Sequence, residues 1–187
     1  MEVRSFGNSP VKVATAIPDL HYIAANVSGG MIPGWELSNE LEVLLGRTVP
    51  CVYVRNARKI GGHKELIVGL EGNPEIPQGS KSVVVEELVN FARTTVTSVQ
   101  ANRDAGNIVT HAATILFYTN PKSIEELAAN SVNMVYLFTL PEFLAAAEEL
   151  GVFSPDLIRA YRDDFLRDPL GWQARRGLVP RKDGGTQ

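Results

Sequence analysis

Several features that mark other protein classes are scarce or missing in this sequence of 187 residues. It contains one cysteine, Cys51, which excludes an internal disulfide and favours a reducing compartment. No apolar run approaches the roughly 20 residues that a membrane-spanning helix needs, and the first residues lack the apolar segment of a signal peptide. These absences predict a cytoplasmic protein with no membrane partner.

An excess of positive charge is also missing. The 18 lysines and arginines are outnumbered by 21 aspartates and glutamates, so the net charge is -3. A chain with this balance has no overall positive field to attract nucleic acid, which argues against a nucleic-acid partner. The histidines and the cysteine also lack the spacing of a structural zinc site.

What the sequence does contain is an alternation of short apolar runs and helical patterns. The runs predict strands at 11–17, 21–27, 49–55, 82–87, 108–118 and 133–138. The helical patterns predict helices at 32–45, 93–105, 121–129, 141–150 and 154–166. Apolar strands separated by helices favour an α/β fold, in which a parallel sheet is covered by helices on both faces. Such sheets bind ligands at the carboxyl ends of their strands.

The stretch from Ser82 to Thr95 has the layout of a ligand site. An apolar strand ends in two adjacent carboxylates, Glu86 and Glu87, and a helix begins a few residues later. Two neighbouring carboxylates repel each other, so a divalent ion or sugar hydroxyls could compensate them, whereas two solvated side chains would need no partner. The amides and dipole at the helix start favour an anion.

The loop from Asn90 to Thr95 contains no glycine, although phosphate-binding loops commonly use glycine to bring the backbone close to the ligand. Thr94 and Thr95 can still offer hydroxyls and amides, and Arg93 can pair with a phosphate through its planar fork. An ordinary strand-to-helix turn with Thr94 as the cap explains the same residues equally well.

Two further loops could contribute to a site. Gly29 and Gly30 follow a predicted strand and open a helix, which is typical either of close approach by a ligand or of a plain tight turn. Arg55, Lys59 and His63 surround a glycine-rich segment. Their charges are either solvated surface charges or part of a basic loop that closes on a polyphosphate.

These residues together resemble the type I phosphoribosyltransferases, and orotate phosphoribosyltransferase in particular. The resemblance rests on segments 25–33, 51–59, 65–69, 83–89, 135–140 and 160–162. It implies the parallel-sheet fold of that family, with helices on both faces and a flexible hood loop at about 56–80. We expect residues 1–176 to form one phosphoribosyltransferase-like domain and 177–187 to be a disordered tail.

The resemblance also implies an activity, the transfer of ribose 5-phosphate from phosphoribosyl pyrophosphate to a pyrimidine base. Its catalytic residues would be Lys59, Glu86 and Glu87. The residues that would bind the sugar pyrophosphate are Gly29, Gly30, Arg55, Lys59, Glu86, Glu87, Asn90, Arg93, Thr94 and Thr95. His63 would be a contact from the hood loop. Magnesium would be held through the substrate, without direct protein ligands, and the assembly would be a homodimer.

The sequence departs from the family pattern at several positions. Phe91-Ala92-Arg93 stands where the family has Thr-Gly-Gly, and Glu87 stands where the second acid is usually Asp. The family's hood histidine falls at Gly61, and the N-terminal signature that helps to bind orotate is not found. A second hypothesis therefore stays open, a catalytically impaired relative that binds a nucleotide or a partner protein. A third is a phosphoribosyltransferase for another base.

Overall fold

The computed structural model describes residues 9–55 and 65–178. Its strands are β1 (Tyr22–Asn26), β2 (Cys51–Val54), β3 (Ile67–Val68), β4 (Lys81–Val89), β5 (Ile108–Phe117) and β6 (Asn133–Thr139). Its helices are α1 (Ser9–Ala16), α2 (Met31–Leu45), α3 (Arg93–Asp104), α4 (Pro121–Ala129), α5 (Leu140–Glu149), α6 (Pro155–Arg159), a π-helical segment (Ala160–Phe165) and α7 (Pro169–Arg175). Lys59, His63 and most of the tail lie outside the described residues.

The strands form one six-stranded sheet in the order β3-β2-β1-β4-β5-β6. Strand β3 is antiparallel to β2, and the other neighbouring pairs are parallel. Parallel neighbours need long crossover connections, and here helices α2, α3 and α4 supply them on both faces of the sheet.

Two apolar clusters show that both faces of the sheet are covered. On one face, α1 and α2 pack against side chains such as Ile23 and Val83. On the other face, α3 and α4 pack against side chains such as Ala24 and Val84. Because successive side chains of a strand point to opposite faces, the continuous apolar runs of β1 and β4 supply both clusters. The predicted fold class is therefore confirmed.

The strand predicted at 11–17 is wrong, because this region forms helix α1. Val13 and Ile17, one helical turn apart, are 1% and 5% exposed, whereas Val11 is 49% exposed. A short segment with valines at alternate positions imitates a strand. Burial of residues four apart, together with exposure of the residue two apart, follows the helical period instead.

The carboxyl-terminal region also differs from prediction. The predicted helix at 154–166 is present as α6 and the π-helical segment, and the Ser154 hydroxyl caps it by accepting from the amide of Leu157. Helix α7 follows and was not predicted. The aromatic rings of Tyr161, Phe165 and Trp172 contact one another there. Within residues 9–55 and 65–178, no helix combines the length and apolar character that crossing a membrane requires.

Candidate functional site

The carboxyl ends of β1, β2 and β4 bring most of the described candidate residues to one edge of the sheet. Asn26 of β1 is paired with Val54 of β2, and the amide of Val27 donates to the carbonyl of Val54 at 2.8 Å. The turn with the two glycines therefore begins beside Arg55, which is half-buried. The acidic pair lies on β4, on the other side of β1.

Glu86 and Glu87 occupy different environments although they are neighbours in sequence. Glu86 is 7% exposed, and one of its carboxylate oxygens accepts a hydrogen bond from the side-chain amide of Asn26. Glu87 is exposed, and its carboxyl group lies against Gly29. The predicted strand end at Glu87 is too early, because β4 continues to Val89. The pair therefore projects from within the strand, one side chain to each face.

Burial raises the pKa of Glu86 to about 7, because the charged carboxylate loses hydration inside the protein. The negative charge of Glu87 adds to this rise. Hydrogen bonds from Asn26 and Thr94 act in the opposite direction, since they stabilise the carboxylate. Near neutral pH the group is therefore present in both protonation states.

The two glycines of the turn are required by neighbouring protein atoms. A side chain at Gly30 would overlap the carbonyl oxygen of Val85 and would lie 2.8 Å from the backbone nitrogen of Asn26. A side chain at Gly29 would overlap the carboxyl group of Glu87. Close approach by a ligand was one prediction for this turn, and the structure shows instead a close approach to β4, which brings the turn against the acidic pair.

The loop before α3 has an unusual backbone. Ala92 is the N-cap residue of α3 and adopts a left-handed conformation with φ 61°, which is uncommon for a residue with a Cβ. No side chain caps the helix, so the alternative of Thr94 as the cap is wrong. Arg93 and Thr94 are exposed, whereas Thr95 is buried.

Asn90 is tied to the next loop along the sheet. Its backbone carbonyl and its side-chain oxygen both accept from the amide of Asn120, at 2.7 and 3.0 Å. Asn120 in turn accepts from the amide of Ser123 at 2.9 Å and caps α4. Both oxygens of Asn90 therefore already accept hydrogen bonds within the protein.

Two buried asparagines at this edge were not singled out as site residues from the sequence, Asn26 and Asn120. Both are polar side chains at the end of an apolar run, at 3% and 0% exposure. Buried polar groups are normally hydrogen-bonded, so a polar residue that ends a predicted parallel strand is the signal that could have identified them.

The residues at this edge do not fit a metal ion held directly by the protein. In the described part of the chain, no group of three or more His, Cys, Asp or Glu side chains is placed to hold a metal. Glu86 points to the Asn26 side and Glu87 to the Gly29 side, so the pair does not converge on one point. A divalent ion here would need most of its oxygen ligands from a substrate.

Comparison with known proteins points to one family. No family model matches the chain. A curated relative from Rhizobium meliloti, an orotate phosphoribosyltransferase, is 30% identical over 154 residues, which are 82% of this chain and 63% of that protein. The chain thus spans less than two thirds of that relative's length.

Solved structures support the same assignment of the fold. The orotate phosphoribosyltransferase from Aeropyrum pernix superposes with a TM-score of 0.57 at 22% identity, covering 80% of this chain and 77% of that one. The Mycobacterium tuberculosis enzyme in complex with phosphoribosyl pyrophosphate superposes with a TM-score of 0.52 at 20% identity, covering 71% and 70%. The chain is therefore similar to the orotate phosphoribosyltransferases and has the type I phosphoribosyltransferase fold.

Proposed function

We propose that this protein transfers ribose 5-phosphate from phosphoribosyl pyrophosphate to a pyrimidine base, as an orotate-type phosphoribosyltransferase. The observation that carries the proposal is the meeting of the acidic pair, the two-glycine turn and Arg55 at one edge of a parallel sheet. The curated relatives named orotate phosphoribosyltransferase support the choice of base. The related structure that holds phosphoribosyl pyrophosphate supports the choice of donor.

Each part of the donor substrate, namely the ribose, the 5′-phosphate and the pyrophosphate, has a matching part of the site. Glu86 and Glu87 accept hydrogen bonds from the ribose hydroxyls. The backbone amides at the start of α3, with Thr94, Thr95, Asn90 and Arg93, bind the 5′-phosphate, because a helix N-terminus favours an anion. The pyrophosphate lies against Gly29 and Gly30, with Arg55 and Lys59 as the basic partners and His63 as a contact from the hood loop.

The reaction depends more on positioning and charge stabilisation than on proton transfer. The bond from the anomeric carbon to the pyrophosphate oxygen breaks and its electron pair leaves with pyrophosphate. A ring nitrogen of the base supplies the electron pair of the new bond, and any proton on that nitrogen passes to water. Positive charge develops on the sugar ring, which the two carboxylates stabilise electrostatically.

Glu86 gives the proposed activity a pH dependence. Only the ionised carboxylate accepts hydrogen bonds from two hydroxyls and carries the negative charge that the transition state needs. Because the pKa of Glu86 is about 7, activity should rise as the pH increases through 7. Magnesium would be held through the substrate and would supply charge that neutralises the leaving group. The homodimer and the cytoplasmic location remain predictions.

Ligand binding followed by turnover tests the proposal. Phosphoribosyl pyrophosphate with magnesium at millimolar concentration should raise the melting temperature, and ATP with magnesium serves as a control for general polyphosphate binding. The double variant Glu86→Gln, Glu87→Gln should lose the increase. Turnover is then measured with orotate, uracil and a purine base. Absence of any rise in melting temperature would count against the proposal, and binding without turnover of any base would favour the catalytically impaired relative.

A further inference from the structure

Asn26 occupies a position that connects two parts of the site. It is the last residue of β1 and is 3% exposed. Its side-chain amide donates to one carboxylate oxygen of Glu86 on the neighbouring strand. Burying an asparagine costs free energy unless its polar atoms are bonded, so this contact is a specific feature of the site.

The backbone of Asn26 also holds the two-glycine turn. Its carbonyl oxygen accepts from the amide of Gly30 at 2.9 Å. The space that a side chain at Gly30 would fill is taken by the carbonyl of Val85 and by the backbone of Asn26. One residue thus contacts Glu86 through its side chain and the turn through its main chain.

The second polar atom of the Asn26 side chain, its oxygen, does not contribute to the contact with Glu86. Its carboxamide oxygen is buried and meets no hydrogen-bond partner in the described part of the chain. A carboxamide both donates and accepts, so rotation by half a turn would present its oxygen to Glu86. Asn26 can therefore donate to the ionised carboxylate and accept from the protonated acid.

Four other groups also face Glu86. Thr94 and Thr95 come from the start of α3, Thr114 is its register partner on β5, and Glu87 is its neighbour on β4. Three of these are neutral hydroxyls and the fourth is a like charge. The hydroxyls can also donate and accept, but among the hydrogen bonds that lower the pKa of Glu86 the one from Asn26 is the largest.

We propose that Asn26 is a positioning residue for the phosphoribosyl transfer proposed above, holding Glu86 in one orientation in both protonation states and joining it to the two-glycine turn. The inference rests on the proposed function for its catalytic consequence. The contact itself is testable without substrate.

The first experiment follows Glu86 in the ligand-free protein. Proteins labelled with ¹³C at the glutamate side-chain carboxyls are titrated by NMR, and Glu86 is assigned by its loss in Glu86→Gln. In Asn26→Leu the midpoint should move upward by about one pH unit or more, because the hydrogen bond that Asn26 donates to the charged carboxylate is stronger than the one it accepts from the neutral acid. An unchanged midpoint would overturn the proposal.

A matched control separates this effect from general loss of stability. Asn102 is also fully buried and accepts from the Tyr22 hydroxyl at 2.8 Å, on α3 and away from the acidic pair. Asn102→Leu removes a comparable buried amide and should leave the Glu86 midpoint unchanged.

If Asn26→Leu does not fold, Asn26→Asp keeps the size of the side chain. It should give two coupled titrations, one below and one above the wild-type midpoint. A single titration at the wild-type midpoint would contradict the proposal.

The second experiment measures catalysis. In Asn26→Leu, kcat/KM should fall about fivefold more at pH 7 than at pH 9, relative to the wild type, because a midpoint one pH unit higher leaves far less carboxylate ionised at pH 7. An equal loss at both pH values would indicate a merely structural role. Absence of turnover in the wild type would contradict the proposed function alone, and the NMR titration would still decide the contact between Asn26 and Glu86.

Discussion

The turn after β1 and the loop before α3 lie at the same edge of the sheet, but different interactions hold them in place. The turn is fixed by buried contacts: Gly30 lies against the carbonyl of Val85, and Asn26 donates to Glu86. The loop has Arg93 exposed and Ala92 in a left-handed conformation with no side-chain cap. The part of the proposed site that would hold the sugar and the pyrophosphate is thus built into the framework, whereas the part that would hold the 5′-phosphate depends on the residues of one loop.

This difference indicates where the sequence can vary without loss of the fold. Buried polar contacts and close backbone packing leave little room for substitution, since each lost partner exposes an unsatisfied group. The exposed positions Arg93 and Thr94, in a loop whose ends are held by Asn120 and α3, tolerate changes more readily. Substitutions in the turn and beside it should therefore have larger effects on stability than substitutions in the loop.

The largest expected effect is on the pH dependence of stability, through Glu86. Its pKa is raised from 4.5 to about 7, so the protein is most stable when this group is protonated. Below pH 4.5 the contribution is fully present, and about 3 kcal/mol is lost as the pH rises to 7. Glu86→Gln should remove this loss, making the variant more stable than the wild type at pH 8 and similar to it at pH 4.5.

Urea unfolding at pH 4.5, 6 and 8 measures the effect. Glu87→Gln is the control, because it removes the exposed carboxylate next to Glu86 and should leave most of the pH dependence in place. If Glu86→Gln and the wild type lose stability in parallel between pH 4.5 and 8, burial of this carboxylate does not govern the pH response.

A substitution in the turn should come next in size. Gly30→Ala would drive a methyl group against the carbonyl of Val85 and the backbone of Asn26, which cannot move as a flexible side chain can. We expect a loss of about 2–3 kcal/mol in the free energy of unfolding, as for an overpacked site. Gly29→Ala meets only the end of the Glu87 side chain, so it should cost less. Equal costs, measured by urea unfolding, would contradict this description of the turn.

Introducing family residues into the loop should have a smaller effect. This effect is on ligand binding, whereas the preceding two are on stability. Replacing Phe91-Ala92 by Thr-Gly, with Arg93 kept as a phosphate partner, adds a hydroxyl donor and lets the backbone approach an anion. One further charge-assisted hydrogen bond of about 1.5 kcal/mol would tighten ribose 5-phosphate binding roughly tenfold. Calorimetric titration checks this, with Phe91→Val as the control for loss of the buried ring without an added hydroxyl. Unchanged affinity would show that this loop is not the phosphate-binding loop.

The smallest expected effect is on the stability of Ala92→Gly. Relief of the left-handed conformation is worth about 1–2 kcal/mol. Loss of the buried methyl group costs about 0.8 kcal/mol, and the greater freedom of glycine in the unfolded chain costs about 0.4–1 kcal/mol. The free energy of unfolding should therefore change by less than about 1 kcal/mol. A larger change, measured by urea unfolding, would mean that the conformation of this loop contributes more to the free energy of unfolding than these three effects predict.

Much of the fold could be predicted because its signals are local and strong. Helix α4 starts and ends where the sequence predicts, with Asn120 as its cap and Pro121 as its first residue. Helix α2 ends at Gly46, whose left-handed conformation is typical of a helix end. Helix α1 is mistaken for a strand because eight residues with alternating valines carry too little periodicity to separate the two.

The site was predictable only in part, because the positions of loops and strand ends follow from the sequence but the contacts between them do not. Gly29, Gly30, Arg55 and the acidic pair do meet at one edge. The tie between Asn90 and Asn120 joins residues 30 positions apart. Nothing in either local sequence identifies the other as its partner.

The alternation of apolar strands and helices, and with it the parallel sheet and its ligand-binding edge, follows from the order of residues alone. The burial of Glu86 against Asn26 and the exposure of Glu87 against Gly29 depend on contacts that exist only in the folded chain. The physical reason is that the pleat of β4 sends adjacent side chains to opposite faces, so two identical neighbours meet different surroundings. Those surroundings come from β1 and α3, which lie beside β4 only in the folded chain.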